Sequence, residues 1–336
     1  MKYIDKADLL AWLDVTAWEK NLIAPRRIGN KVLYQPIENS SQIDWDYIRP
    51  DLPLKEAFFP PTERLFMMQS NGQQVKLVES LPEEEKIIFG VRSCDALGVQ
   101  MLDELFLEDT PPDPYYAKRR ENTTLIGLAC SQIGPDCFCM QVGGAPDDPR
   151  GLDLMFKEVE GGYVLQVFSE KGQKIYDSLP RMSDFYGKMP DRPRGAPLFI
   201  GAPEAIDWEA HFEDEYWMEI SERCLGCRIC AYVCPTCRCF DVRDEPISGQ
   251  PGAFERLRSW DSCVRDNYRQ IAGGHNPRAI KGERLRNRFY CKFFYYPQQY
   301  HTSMAVACTG CGRCIEACPV NIDISEIISH LLEVAR

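Results

Sequence analysis

The first half of the chain alternates between two spacings of apolar residues. KIIFGVR (86–92) and TTLIGLAC (123–130) are short runs rich in branched apolar residues, and they predict two buried strands. Between them, residues 95–106 carry apolar side chains at helical spacing, which predicts a helix. Residues 153–168 predict a hairpin that turns at two adjacent glycines. This pattern is typical of an α/β or α+β domain.

The second half of the chain has a helical pattern instead. Residues 210–224 and 322–336 predict helices, and the last of these begins with the Asp and Ser residues that favour a helix N-terminus. The proline-rich stretch 189–197 predicts a linker or crossing segment between the two halves. We therefore predict two domains, 1–205 and 206–336.

Composition and charge exclude several classes of protein. The 336 residues are 44% hydrophobic and 26% charged, and no apolar run approaches the roughly 20 residues that a membrane span needs. The N-terminus places acidic residues among its apolar ones and has no signal-peptide pattern, so we expect no export and no membrane partner. The net charge of −11 argues against nucleic-acid binding.

The cysteine content changes the picture most. Sixteen cysteines are far too many for an ordinary chain, and a disulfide scaffold explains them only in a small secreted protein. Metal ligation by thiolates is the better explanation, and it predicts a reducing compartment, the cytoplasm. Four cysteines lie in the first half, and the other twelve lie between Cys224 and Cys318.

One motif, CxxCxxCxxxCP, occurs twice in the second half of the chain. This is the spacing of bacterial ferredoxins, in which three cysteines ligate one [4Fe–4S] cluster and the fourth ligates the other cluster. Zinc sites pair two short CxxC units and leave no role for the remaining cysteines. The predicted ligands are Cys224, Cys227, Cys230 and Cys318 for cluster 1, and Cys308, Cys311, Cys314 and Cys234 for cluster 2.

The two motifs are farther apart than in a small ferredoxin, and helices flank them. The predicted fold class is therefore α+β, with an N-terminal mixed α/β domain followed by a helical-ferredoxin-type domain that contains a long basic insertion (235–307). Between residues 255 and 292 there are ten Lys or Arg residues against four acids. Three interpretations remain open: charge compensation of anionic clusters, docking of an acidic partner, or a solvated helical face.

Two further sets of cysteines have less specific spacing. Cys94 and Cys130 follow the strand candidates, and parallel neighbouring strands would bring them together beside a CxC pair. The predicted third [4Fe–4S] set is Cys94, Cys130, Cys137 and Cys139, with buried structural thiols as the alternative. The insertion contains a set that forms either another cluster site or buried thiols, namely Cys237, Cys239, Cys263 and Cys291.

Nucleotide-binding signatures are missing from the sequence. No G-x-G-x-x-G follows a strand candidate, and no Walker-type loop occurs. We therefore expect no flavin or NAD in this chain, and we expect any hydride chemistry to belong to a partner subunit.

These strings resemble the iron–sulfur beta subunit of soluble sulfhydrogenases and the related iron–sulfur subunit of anaerobic sulfite reductase, over nearly the whole chain. In the first half the resemblance rests on GVRSCDALGVQMLDELF, DPYYAKRRE, the cysteine of GLAC, CFCMQVGGAP and GGYVLQVFSEKG. In the second half it rests on CLGCRICAYVCPTCRCFDV, WDSC, AGGHNPR and CTGCGRCIEACPVNIDI. Two positions depart from the pattern: Ser93 stands where proline is expected, and Cys291 where histidine is expected.

The resemblance implies an electron-transfer subunit of a cytoplasmic anaerobic oxidoreductase complex, without substrate turnover of its own. It would relay electrons between a flavin-containing NAD(P)H diaphorase subunit and a catalytic or further iron–sulfur subunit. That complex would be a hydrogenase, a sulfite reductase or a heterodisulfide-reductase-like enzyme. The alternative is a subunit with its own reductive site for a sulfur compound at an N-terminal cluster.

Overall fold

A computed structural model of the chain describes residues 1–70, 74–79, 81–268, 270–300 and 304–334. Two predictions extend beyond these ranges. The last two residues of the predicted helix 322–336 lie outside them, as do positions 269 and 301–303 of the predicted insertion.

The described residues form strands and helices along the whole chain. Strands β1 to β12 span Lys2–Asp5, Asn21–Ile28, Lys31–Pro36, Thr62–Ser70, Val75–Glu79, Lys86–Val91, Thr123–Leu128, Leu154–Val159, Gly162–Val167, Ser183–Asp184, Phe240–Pro246 and Ala253–Trp260. Helices α1 to α10 span Lys6–Glu19, Ser93–Asp103, Pro114–Glu121, Glu170–Ser178, Tyr216–Arg223, Ile229–Tyr232, Lys281–Tyr290, Tyr296–Gln299, Arg313–Glu316 and Ile324–Val334. No helix among these residues is long and apolar enough to cross a membrane. The structure confirms the predicted mixture of helices and sheets.

The larger sheet lies in the N-terminal half and has the order β10-β1-β9-β8-β7-β6-β2-β3. Strands β2, β6, β7 and β8 run parallel to one another. The predicted buried strands are β6 and β7, whose side chains are buried on both faces, as in parallel sheets covered by helices. The predicted hairpin is formed by β8 and β9. Because α2 begins at Ser93, directly after β6, Cys94 lies in its first turn.

A smaller antiparallel sheet has the order β11-β12-β4-β5 and joins the two halves of the chain. The hairpin β11–β12 differs from the helical pattern predicted for the second half. Its sequence carries charged residues on both faces, and β11 is largely exposed. The sequence therefore has no apolar periodicity that would predict these two strands. Hydrogen bonds between β12 and β4 connect the two sides of the domain boundary predicted at residue 205. The division of the chain into two domains at that residue stays a prediction.

A helical core surrounds the cysteine motifs of the second half. It contains the buried side chains of Trp217 in α5, Phe289 in α7 and Ile327 in α10. Phe138 and Phe199 from the N-terminal part pack into the same core. The predicted helix 210–224 is α5, which begins six residues later than predicted. The two parts of the chain therefore share apolar packing close to the cysteines.

Candidate metal centre

The two ferredoxin motifs follow the same backbone path. Each loop has two residues with positive φ before a four-residue helix. The φ angles are 66° at Gly226 and 68° at Arg228 before α6, and 60° at Gly310 and 75° at Gly312 before α9. These left-handed turns bring backbone amides toward the sulfurs, as in the hydrogen bond of 3.4 Å that Gly226 N donates to Cys224 Sγ in the first loop. Equal cysteine spacing has therefore produced equal local structure.

All four predicted ligands of cluster 1 line one cavity. Cys224, Cys227, Cys230 and Cys318 surround it together with Cys314 and with the α7 side chains of Leu285, Arg288 and Phe289. Of the sixteen cysteines, all of which the structure describes, Cys227 is the exposed one. This cavity therefore lies at the surface of the molecule, although its ligand assignment stays a prediction.

The predicted ligands of cluster 2 lie deeper in the molecule. Cys234, Cys308 and Cys311 are buried. Lys292 Nζ lies 3.1 Å from the Sγ of Cys234 and donates a hydrogen bond of 2.8 Å to Thr236 Oγ1. Burial raises the pKa of Cys308 to about 12, so its thiolate is unfavourable until a metal replaces the proton.

The structure brings the N-terminal cysteines together. Cys94, Cys130, Cys137 and Cys139 line one cavity, where the parallel strands β6 and β7 end side by side as predicted. Burial raises the pKa of all four thiols. Their role as ligands of a third cluster stays a prediction.

The second ferredoxin loop lies directly against these N-terminal cysteines. Gly310 and Cys311 line the same cavity, and Phe138 N donates a hydrogen bond of 2.8 Å to Gly310 O. A Cβ atom on Gly310 would lie 2.5 Å from backbone atoms of Phe138 and Cys139, which no side chain tolerates. A Cβ atom on Gly312 would lie 2.3 Å from the carbonyl oxygen of Asp136. The two cysteine loops are therefore in backbone contact.

A buried ion pair connects the same two loops. Arg313, which precedes Cys314, forms two hydrogen bonds of 2.8 and 2.7 Å to the carboxylate of Asp95, which follows Cys94. The side chains of Arg313 and Asp95 are 1% and 0% exposed. Tyr34 donates a further hydrogen bond of 3.1 Å to the Asp95 carboxylate. Because the charged groups of this network are buried and hydrogen-bonded to one another, the network holds the two loops in one relative position.

Four buried cations lie near the cysteines without a carboxylate partner within the described ranges. Lys55 and Arg92 donate hydrogen bonds to backbone carbonyl oxygens, and Arg288 and Lys292 point at cysteine sulfurs. Burial lowers the pKa of Lys55 to about 8. Burial would also lower the pKa of Lys292, but the adjacent cysteine sulfurs raise it above its ordinary value. Buried cations require compensating anions, and thiolate-ligated clusters are anions, so the residues present fit such clusters.

The structure decides among the interpretations of the basic insertion. Arg284, Arg286 and Arg288 on α7 are 8%, 8% and 3% exposed, which excludes a solvated helical face for this helix. Arg258 of β12 is also buried and forms an ion pair of 2.6 Å with Glu63. Arg258 and Arg288 compensate negative charge inside the protein, whereas Arg284 and Arg286 form ion pairs with the exposed carboxylates of Asp266 and Glu213.

The remaining cysteines do not gather around one cavity. Cys239 and Cys291 line a cavity of about 950 Å³, whereas Cys237 Sγ lies 3.7 Å from both Arg288 Nη1 and Lys292 Nζ. Cys263 is buried beside Cys239. The neighbouring Cys239, burial, and the nearby sulfurs of Cys237 and Cys291 raise the pKa of Cys263, and the role of these four cysteines as ligands stays a prediction.

Comparison with known proteins places the chain in a family. Residues 223–322 match the family model of a 4Fe-4S dicluster domain. Sulfhydrogenase 2 subunit beta of Pyrococcus furiosus is 33% identical over 327 residues, which cover 92% of this chain and 91% of that relative. The chain belongs to the sulfhydrogenase beta subunit family. The family predicted from the sequence is thereby confirmed, and the chain is an iron–sulfur protein that binds [4Fe–4S] clusters. No solved structure matches the chain.

Sequence reasoning identified the basic insertion but missed the charged residues that lie near the cysteines outside it. Asp95 and Arg313 are each adjacent to a predicted ligand, and that adjacency was the available signal. Arg92 is likewise two positions before Cys94. Lys55 carried no such signal, because it lies far from every cysteine in sequence and reaches Cys237 O at 3.2 Å only in the fold.

Proposed function

We propose that this chain relays electrons inside a cytoplasmic anaerobic oxidoreductase complex. Its partners in the proposal are a flavin-containing NAD(P)H diaphorase subunit and a catalytic or further iron–sulfur subunit. The support is the relative, which is named as one subunit of a sulfhydrogenase. Bound [4Fe–4S] clusters would supply one-electron transfer, the chemistry for which such clusters are used in proteins.

The proposed cofactor content is three [4Fe–4S] clusters. The two ferredoxin motifs would hold clusters 1 and 2 with the ligand sets predicted from their spacing. The third set is made of four cysteines from the N-terminal half, which line one cavity, namely Cys94, Cys130, Cys137 and Cys139. The arrangement of these four sulfurs around one cavity supports a third cluster over scattered structural thiols.

The observation that carries the relay proposal is the contact between the N-terminal cavity and the second motif. Gly310 and Cys311 line that cavity, and Cys314 of the same motif lines the cavity of the first motif. The sulfur sites therefore form a continuous row through one molecule, from the N-terminal half to the exposed Cys227. A continuous row that reaches the surface at Cys227 supports a relay, with that end as the place where one partner would exchange electrons.

The chain's own residues have three tasks in this proposal. The loops hold the thiolates, the helical core excludes water from them, and buried cations stabilise the negative charge that arrives with each electron. Arg288 and Lys292 do this for the ferredoxin motifs, and Arg92 does it for the N-terminal set.

The alternative of a reductive site for a sulfur compound at the N-terminal cysteines has less support. That cavity is lined largely by apolar residues and by the backbone of the second motif. Its four cysteines are only partly exposed, which restricts the approach of a substrate to them.

Iron stoichiometry tests the cofactor content. The chain purified anaerobically should contain about twelve irons. A content of about eight irons would show that the third cluster is absent. The Cys130→Ala variant should contain about four irons fewer than wild type. Its matched control is Ser131→Ala at the neighbouring exposed position, which should keep the full content. Equal iron in both variants would contradict the N-terminal assignment.

Partner identity tests the relay. The chain isolated from its native source should co-purify with a flavoprotein, and electron paramagnetic resonance should show its clusters reduced by NAD(P)H only with that flavoprotein present. Oxidation of NADH by the chain alone would overturn the proposal.

A further inference from the structure

The first ferredoxin loop lines two cavities. One is the cavity of the predicted cluster 1 ligands, and the other has a volume of about 420 Å³. Helix α7 contributes Lys281 and Arg284 to the second cavity, one turn before the residues that it contributes to the first. Leu225 and Asp266 line the second cavity with side chains that are largely exposed, so this cavity opens to solvent.

Cations outnumber carboxylates around the second cavity. Among the described residues that line it, Asp266 is the one carboxylate, and there are four cations, namely Arg228, Arg265, Lys281 and Arg284. Arg284 forms an ion pair of 2.8 Å with Asp266, and Arg265 forms one of 3.0 Å with Asp261. Two of the four cations are therefore neutralised within the chain.

The other two cations have no ion-pair partner among the residues with described coordinates. Arg228 directly follows the exposed Cys227, and Lys281 Nζ donates a hydrogen bond of 3.0 Å to Cys224 O. Charge compensation of cluster 1 accounts for only one of these cations, because Arg228 lines the cluster 1 cavity and Lys281 does not. Positive charge beside the open loop is therefore available to an anion from outside the chain.

The rest of the molecule gives this local charge its significance. The whole chain has a net charge of −11, so an acidic protein would be repelled by most of its surface. The same protein would be attracted at the second cavity. Charge would therefore select the orientation in which an acidic partner meets the cluster 1 loop.

Apolar side chains beside the cavity favour a protein over a small anion as the occupant. Leu225 in the loop is 66% exposed, and Ile280, which precedes Lys281, is 50% exposed. A small anion needs only the cations, whereas a protein partner covers apolar side chains together with a charged rim. Because the exposed Cys227 lies in the same loop, a protein docked here would contact the cluster 1 site directly.

We propose that this basic cavity and Leu225 form the docking site for an acidic electron-transfer protein, whose carboxylates pair with Arg228 and Lys281. The docking site rests on the proposed relay for its use. One electron passes in each encounter, so cluster 1 is reduced by one electron when the redox centre of the partner is oxidised by one, and the reverse. The pairing of carboxylates with the two cations can be measured without electron transfer.

The binding test uses N-acetylated polyglutamate labelled with fluorescein as a mimic of an acidic protein surface. Fluorescence anisotropy should show that it binds the anaerobic chain with its clusters present. The affinity should fall about tenfold between about 0.05 and 0.5 M NaCl, because salt screens exposed charges. Absence of binding at the lower salt concentration would overturn the proposal.

A pair of double variants separates this site from the general effect of charge. Arg228→Gln combined with Lys281→Gln should weaken polyglutamate binding about tenfold at low salt, with unchanged iron content. The matched control is Lys174→Gln combined with Arg194→Gln, which removes two exposed cations before residue 205 and should bind as the wild type does. Equal weakening in both double variants would contradict the site, since binding would then follow net charge alone.

Zero-length cross-linking of the wild-type chain locates the site independently of variant folding. A carbodiimide couples carboxylates to lysines that they contact, and Lys281 is the lysine of the cavity among the described residues. Because trypsin does not cleave after a modified lysine, mass spectrometry should find polyglutamate attached to AIKGER (279–284). Attachment to GQKIYDSLPR (172–181), which contains Lys174, in place of AIKGER would place the acidic ligand elsewhere and reject the proposal.

A redox measurement distinguishes failure of the docking site from failure of the relay. Reduced flavodoxin, a small acidic flavoprotein, should reduce the clusters about tenfold more slowly in the Arg228→Gln and Lys281→Gln double variant, whereas the methyl viologen radical cation should reduce both chains alike. Equal rates with flavodoxin would overturn the docking site and leave the relay intact. If neither donor reduced any cluster, the relay would fail, and polyglutamate attached at Lys281 would still support the docking site.

Discussion

The two ferredoxin motifs share one spacing and one backbone path, but their surroundings differ. In the first loop, Leu225 is 66% exposed, and a Cβ atom on Gly226 would meet nothing within 4 Å. In the second loop, Cys308 and Cys311 are buried, and Gly310 touches the backbone of the N-terminal cysteine loop. The motif therefore specifies the conformation of the loop but not whether the folded chain leaves that loop exposed or buries it. One copy is open to a partner, and the other is enclosed by its own chain.

The residue after the second cysteine of each motif shows the same contrast. Arg228 and Gly312 both have positive φ, at 68° and 75°. The first loop tolerates an arginine there because it is partly open. The second loop requires glycine, because a Cβ atom would lie 2.3 Å from the carbonyl oxygen of Asp136.

The largest expected effect comes from breaking the buried ion pair of the second loop. Arg313→Met leaves the Asp95 carboxylate buried and unpaired, which should lower the free energy of unfolding by about 3–5 kcal/mol. Arg243→Met is the control, because the exposed pair with Glu245 should contribute less than about 1 kcal/mol. Anaerobic thermal unfolding measures both variants. Equal unfolding temperatures would show that the pair does not hold the loops together.

The next effect compares glycines at equivalent positions. Gly310→Ala and Gly226→Ala share a cost of about 1–2 kcal/mol for positive φ, but Gly310→Ala adds a backbone clash at 2.5 Å. Gly310→Ala should lose iron from the second motif and from the N-terminal set, and Gly226→Ala should keep nearly all its iron. Iron analysis after anaerobic gel filtration measures the difference. If both variants lose iron alike, the contact between the loops has no structural importance.

A smaller effect concerns reduction potentials. Lys292→Met removes a buried cation 3.1 Å from the Sγ of Cys234, a predicted ligand of cluster 2, so cluster 2 should become harder to reduce. Lys281→Met is the control beside the first motif, where the half-exposed lysine donates to Cys224 O at 3.0 Å and solvent screens its charge. Redox titrations followed by electron paramagnetic resonance should show the larger shift for Lys292→Met. A larger shift for Lys281→Met would reverse the comparison.

The smallest effect on stability is expected at Arg228, the position of the first loop that accepts a side chain at positive φ. Arg228→Gly relieves the strain of positive φ and adds freedom to the unfolded chain, so the two changes should offset each other to within about 1 kcal/mol. The reciprocal change, Gly312→Arg, should prevent the second loop from closing on Asp136. Unfolding and iron content measure both. A stable Gly312→Arg variant with full iron content would contradict the enclosed second loop.

Much of the fold could be predicted because its signals are local. The runs at 86–92 and 123–130 proved to be β6 and β7, since short branched apolar segments suit a strand buried on both faces. The hairpin β11–β12 could not be predicted in the same way. Its alternating residues are charged and not apolar. Their contribution to the sheet is seen only in the fold, where Arg258 forms an ion pair with Glu63 of the neighbouring strand β4.

By itself, the sequence determined the cysteine loops, because ligand spacing acts over a few residues and the left-handed turns follow from it. It also determined the family and the parallel strands that carry Cys94 and Cys130. Only the tertiary structure decided which loop is enclosed and which is open. That choice depends on the pair of Asp95 and Arg313, whose positions are 218 residues apart. Contacts between such distant residues follow from burial and packing of the whole chain, and no local pattern encodes them.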